Sequence, residues 1–210
     1  MSTTITTRAE LIAVVKDYLI ESALIDSSGA DITPLFIQLA EFEFNRRLLC
    51  REMEDRVEKT TSSTSPEIVG LPNDFLMASL IISSGTSRNI LRKMSLDQLE
   101  YRYSNTTGTP LHYAMYNNQI RLAPIPTEET TIQVYYYKKI TPITSSTTNW
   151  LFDTYPELYL YGTLVQAAKY AKNEAEVVDW LNITSATINS INALSDQSKR
   201  GNGAYKLQIR

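Results

Sequence analysis

The hydrophobic positions of this chain change period twice. Near the start they recur at helical spacing, as Leu11, Val14, Val15, Tyr18 and Leu19. The preceding Thr7-Arg8-Ala9-Glu10 has the spacing of a capping box, in which the Thr hydroxyl accepts an amide and the Glu reaches back. Ser27-Ser28-Gly29 ends this helix, and Thr33-Pro34 opens a second. There Thr33 is the expected N-cap and Pro34 sits where a missing N–H costs nothing. Leu35, Phe36, Leu39, Phe42 and Phe44 are its apolar residues, and Arg46-Arg47 fall near its end, where cations suit the helix dipole.

From about Met53 to Thr148 the signals become short and β-like. Candidate strands are 55–62, 67–71, 78–83, 89–94, 111–116, 119–123 and 130–140. SSGTSR and Asn117-Asn118 read as hairpin turns, the second because Asn tolerates positive φ. Ser95-Leu96-Asp97-Gln98 predicts one short helix over 96–103. In the best strand Ile132, Val134, Tyr136 and Ile140 share one face; Gln133, Tyr135, Tyr137 and Lys139 share the other.

Helical spacing then returns. Thr154-Tyr155-Pro156-Glu157 has capping-box spacing, and Leu158, Tyr161, Leu164, Val165 and Ala168 line one side of the helix it opens. Leu160, Ala167 and Ala171 extend the apolar surface nearly all round, which predicts a helix buried among neighbours. A last helix, about 175–195, carries Val177, Leu181, Thr184, Ile188, Ile191 and Leu194 as its stripe. Neither helical end buries its apolar face alone. The expectation is therefore an α+β fold: a helical bundle made from the N- and C-terminal helices (1–52 and 149–198), with an inserted antiparallel β-rich lobe (53–148) and a C-terminal arm (199–210).

Composition narrows the function classes. The 210 residues are 43% hydrophobic and 20% charged, an ordinary globular balance, and the net charge is −3. No basic excess points to nucleic acid or an anionic membrane. The first 25 residues carry Arg8, Glu10, Lys16 and Asp17 among their apolar positions and do not read as a signal peptide. No membrane association is expected. A single cysteine, Cys50, permits no internal disulfide.

Chemistry is sparse. His112 is the sole histidine and lies in a predicted strand, so a Ser/His/Asp or Cys/His mechanism would have to use it. One His and one Cys are too few for zinc. The carboxylate pairs Glu41/Glu43, Glu52/Glu54, Asp97/Glu100 and Glu128/Glu129 have spacings common on solvated helices and turns. No glycine-rich phosphate loop occurs. Neither catalysis nor any cofactor or metal is expected.

Two features could serve contacts. The 13 tyrosines include Tyr135 and Tyr137 on the outer face of the best strand, and Tyr155 and Tyr159 where helices resume; these four are candidates for a subunit contact. The tail carries Lys199, Arg200, Lys206 and Arg210 with no acid, and Tyr205, Leu207 and Ile209 alternate with polar neighbours. It reads either as a frayed end or as an extended strand that lies in a partner's groove.

Five segments, in order, resemble the head-to-tail adaptor (connector) proteins of tailed bacteriophages. They are AEFEFNRRLLCREME (40–54), IVGLPNDFL (68–76), TPLHYAMYNNQIRLAPIP (109–126), YYKKI (136–140) and NWLFDTYPELYLYGTLVQAA (149–168). The nearest group in this resemblance is the adaptors similar to tail tubular protein A of short-tailed phages. The resemblance implies a structural virion protein of the neck, assembled in the host cytoplasm. It implies a ring, typically of twelve subunits, docked on the portal protein, extending the DNA channel and offering a platform to a tail or nozzle protein. Genome DNA would pass through without sequence-specific binding. The tail would be the portal-contact arm, with Lys199, Arg200, Tyr205, Lys206, Leu207, Ile209 and Arg210 as its contact residues. The alternative expectation is a tail accessory module binding a surface glycan or receptor through its tyrosine-rich strands.

Overall fold

The computed structural model describes residues 5–19, 24, 28–84 and 88–199. It has the expected α+β fold, and its contacts divide the chain into two units: Met1–Glu52 with Ile140–Arg210, and Met53–Lys139.

The first unit is helical. Its elements are α1 (Arg8–Tyr18) and α2 (Thr33–Arg47), then, after the β unit, α4 (Trp150–Thr154), α5 (Pro156–Ala171) and α6 (Glu174–Lys199). Helix α1 starts as its sequence dictates: the Thr7 hydroxyl accepts from the Glu10 amide at 3.2 Å, and the Glu10 carboxylate accepts from the Thr7 amide at 2.9 Å. Helix α2 starts differently. Ile32 is its N-cap, and Asp31, not Thr33, supplies the accepting side chain, bonding the Thr33 amide at 2.9 Å. Thr33 is fully buried and already helical.

Helix α5 is the centre of this unit and packs on α1, α2, α4 and α6. Nine of its residues are buried, from Leu158 to Ala168, on every side of the helix, as its all-round apolar sequence requires. It ends at Lys172 in the left-handed region (φ 57°), and the Asn173 amide donates to the Ala168 carbonyl at 3.0 Å. A side chain there is strained, since glycine is the residue this helix ending favours. Lys172→Gly is expected to raise stability by up to about 1 kcal/mol in a urea denaturation series. A loss instead would mean that the lysine side chain outweighs the strain.

The second unit is a two-layer β structure with one helix. Its elements are β1 (Glu54–Thr60), β2 (Ile68–Gly70), β3 (Phe75–Ser84), β4 (Arg88–Ile90), β5 (Arg92–Lys93), α3 (Leu96–Tyr103), β6 (His112–Tyr116), β7 (Gln119–Ala123) and β8 (Thr131–Lys138). One sheet runs β1-β8-β3-β4 and the other β2-β7-β6-β5. All pairs are antiparallel except β5 with β6. The inward residues of both sheets form one core, with Ile81, Ile132, Val134 and Tyr136 from the first and Val69, Tyr113, Ile120 and Leu122 from the second. On the opposite side of β6 and β7, Ala114 and Ala123 leave room for Leu99 of α3. The stretch read as one strand, 89–94, is two. The chain crosses from one sheet to the other at buried Leu91, whose amide still bonds Ile81 while Arg92 bonds Leu111. Asn117 and Asn118 form the expected two-residue turn, both at positive φ (43° and 56°).

The long edge strand β1, EDRVEKT, is exposed at every position but Val57 and carries both charge signs. The other edges are two or three residues long. Short or charged edges resist pairing with further strands.

Candidate functional site

The residues that could carry chemistry are occupied with structure. His112 is half-buried and its Nδ1 lies 2.9 Å from the Tyr103 hydroxyl, so the ring joins α3 to β6. Burial, with Arg102 and Arg92 nearby, holds its pKa below the usual value. Cys50 is fully buried. Among the described residues no group of three or more His, Cys, Asp and Glu could hold a metal ion.

One carboxylate behaves unlike the rest. Glu41, on α2, is 4% exposed and faces the segment that returns the chain to the helices. Its Oε1 accepts from the Ile143 amide at 2.7 Å and from the Tyr159 hydroxyl at 3.2 Å. Asn149 Nδ2 donates to that same hydroxyl at 2.7 Å and to the Thr141 carbonyl at 2.6 Å. Asn149 Oδ1 meanwhile accepts from the Phe152 amide at 2.9 Å and so caps α4. One turn along α2, Asn45 Oδ1 accepts from the Ile140 amide at 2.8 Å. The segment 140–149 is thereby fastened to α2 and α5 by side chains that satisfy its otherwise unpaired backbone. No capping box forms at Thr154: α4 ends there, and Tyr155 precedes α5 without a side-chain cap.

Burial pushes the Glu41 carboxyl up; the Ile143 amide, the Tyr159 hydroxyl and the charge of Arg8 pull it part of the way back. Burial and the neighbouring carboxylate also raise the Tyr159 phenol. The folded chain therefore holds the Glu41 proton to higher pH than the unfolded chain. The stability linked to this group is complete below the unfolded value of about 4.5 and is lost as pH rises through the folded value. Glu41→Gln keeps both accepted hydrogen bonds and removes the titration. Melts at pH 5 and pH 8 are expected to show a smaller pH dependence in the variant than in the wild type. Equal dependence would place the titrating group elsewhere.

Of the four tyrosines expected at a subunit contact, Tyr159 is removed: it is fully buried, edge-on to Phe44 and to Phe152, both at 5.2 Å between ring centroids. Its hydroxyl sits on Glu41 and Asn149 because the apolar faces of α5 turn it inward. Tyr155 and Tyr135 are half-buried, and Tyr137 is 8% exposed. The Arg56 guanidinium lies over the Tyr135 ring, 5.9 Å from its centroid. Of the two rings a sugar would use, one is buried and the other carries a cation. Trp150 is half-buried at the first turn of α4. Lys199 is the last residue of α6; Arg200, Tyr205, Lys206, Leu207, Ile209 and Arg210 lie outside the described residues.

Several of the apolar positions read from the sequence of α2 and α6 are exposed rather than packed. Helix α2 buries Phe36, Ile37, Ala40 and Phe44, yet Leu35, Leu39 and Phe42 stand on its opposite side, half-exposed. Helix α6 buries only Thr184, Ile188, Ile191 and Ser195. Its outer side, including Asn182, Ala186, Ser190 and Leu194, faces water without one charge between Asp179 and Asp196. Both signals are present in the sequence as an apolar surplus and a charge gap. What was missing was the knowledge of which face the fold covers.

The helical unit thus has one central helix packed on four others, and the β unit two sheets with short or charged edges. The chain belongs to the SU10 adaptor protein family, which it matches over residues 6–205. It is a bacteriophage adaptor, a structural protein. No curated protein matches it.

Proposed function

We propose that this adaptor forms a ring, typically of twelve subunits, on the portal protein at the virion neck, extends the DNA channel and presents a platform for a tail or nozzle protein. The observation that carries the reading is the family match over residues 6–205, nearly the whole chain. In this reading residues 199–210 are the arm that contacts the portal. The kinship with tail tubular protein A belongs to the same proposal. Physical features agree with it. Ring contacts demand large apolar area, and α2 and α6 have it to offer. A net charge of −3 favours passage of DNA without retention, since affinity for phosphate grows with each neutralising cation.

The test is to mix the purified protein with the portal protein of the same phage and examine the particles by electron microscopy. Rings seated on the portal are expected, and their absence sinks the reading. A chain lacking 199–210 is expected to lose portal attachment. Attachment that survives the deletion would mean the tail is not the arm.

A further inference from the structure

We infer that the outer ridge of α2 is covered by a second copy of this chain, through the outer face of that copy's α6, with the two helices antiparallel. The inference rests on the ring reading and specifies which surfaces make the ring. Leu35, Leu39 and Phe42 are 50%, 39% and 51% exposed. Spacings of four and three residues place them on one line along the helix. The next residue on that line is Arg46, whose side chain is 78% exposed. Three large apolar side chains aligned toward water form the kind of patch that marks a protein contact.

Helix α6 supplies the complement. Its outer residues Asn182, Ala186 and Ser190 are small or uncharged, with Ile183 and Leu194 half-exposed beside them. Depletion of charge distinguishes the core of an interface from ordinary surface. The ridge of α2 finishes on Arg46, which pairs with Glu43 of its own helix at 3.9 Å, whereas the uncharged stretch of α6 is bounded by Asp179 before it and Asp196 after it. Antiparallel packing brings Arg46 to Asp179 with the apolar ridge over the uncharged stretch; parallel packing brings Arg46 to Asp196 only by laying Phe42 beside Asn192, whose side chain is already bonded inward to Leu49 and Arg47. Leu35 to Arg46 and Asp179 to Ser190 each span about 16 Å of helix at a rise of about 1.5 Å per residue. With Arg46 opposite Asp179, Phe42 falls beside Ile183, Leu39 over Ala186 and Leu35 over Ser190. Large side chains then meet small ones, as ridges fill grooves. Because the two faces differ, the contact is head-to-tail, the type that closes into a ring by rotation.

The experiment uses rings assembled on the portal protein from a chain carrying both Leu39→Cys and Ala186→Cys. Oxidation is expected to give a ladder of covalent oligomers on a non-reducing gel, absent from either single variant. Arg46→Glu is expected to reduce ring occupancy by at least about tenfold, and Asp179→Arg in the same chain to restore it. If wild-type rings form but no ladder appears and Phe42→Asp still assembles, this pairing is overturned while the ring reading stands. If the wild type forms no ring, both fall together.

Discussion

Tyr159→Ala is expected to destabilise the helical unit by about 3–5 kcal/mol, the cost of emptying a fully packed aromatic site. The ring is wholly inaccessible and wedged edge-on between Phe44 and Phe152. Its hydroxyl bridges Asn149 and Glu41, so truncation also withdraws one donor from a buried carboxylate. Tyr159→Phe separates the two effects. It keeps the packing and removes only the bridge, for about 1–3 kcal/mol. Asn149 would still donate to Thr141, and Glu41 would still accept from Ile143. Chemical denaturation followed by circular dichroism reads both variants. If Tyr159→Ala lies within about 1 kcal/mol of the wild type, the residue is not the keystone that cavity energetics demand.

Gly162→Ala is the second large effect, and its sign runs against helix propensity. In the middle of a helix, alanine is favoured over glycine by about 1 kcal/mol. Here a Cβ would meet the Phe44 ring at 2.5 Å and 2.8 Å, with Ala40 Cβ at 3.5 Å. Phe44 is fully buried and held against Tyr159, so the ring has no free direction in which to yield. Overpacking of this kind costs about 1–3 kcal/mol, and the net expectation is a loss of up to about 2 kcal/mol after the propensity gain. Phe44→Leu in the same chain should relieve part of it, giving a favourable coupling in a double-mutant cycle. Additive losses would mean that α2 and α5 do not approach most closely at this glycine.

Both predictions concern the same contact, and together they explain how the chain returns from strands to helices. Asn45 and Glu41 on α2 hold 140–143, and Asn149 caps α4 while bonding Tyr159 on α5. The aromatic run that begins at Trp150 is therefore divided by depth. Leu151, Phe152 and Tyr159 are core, Tyr155 is half-buried, and Tyr170 is 57% exposed. An assembly surface has to be sought elsewhere, on the outer faces of α2 and α6.

The sequence by itself determined the elements whose causes are local. The Thr7 and Ser95 caps, the Asn117-Asn118 turn, the alternation of Ile132, Val134 and Tyr136, and the all-round apolar α5 were legible because each depends on neighbours within one turn or one strand. The α+β class followed from their order. Tertiary structure decided the rest. Whether Thr33 or Asp31 served α2, and that Asn149 caps α4 while Thr154 does not cap α5, depended on which oxygen the packed chain presented to an amide. That 89–94 splits at Leu91 depended on two sheets meeting around one core. The ionisation of Glu41 and the burial of Tyr159 depended on residues more than 100 positions away along the chain. Periodicity identifies apolar faces, but only packing selects which of them the chain covers and which, like Leu35, Leu39 and Phe42, it leaves for another molecule.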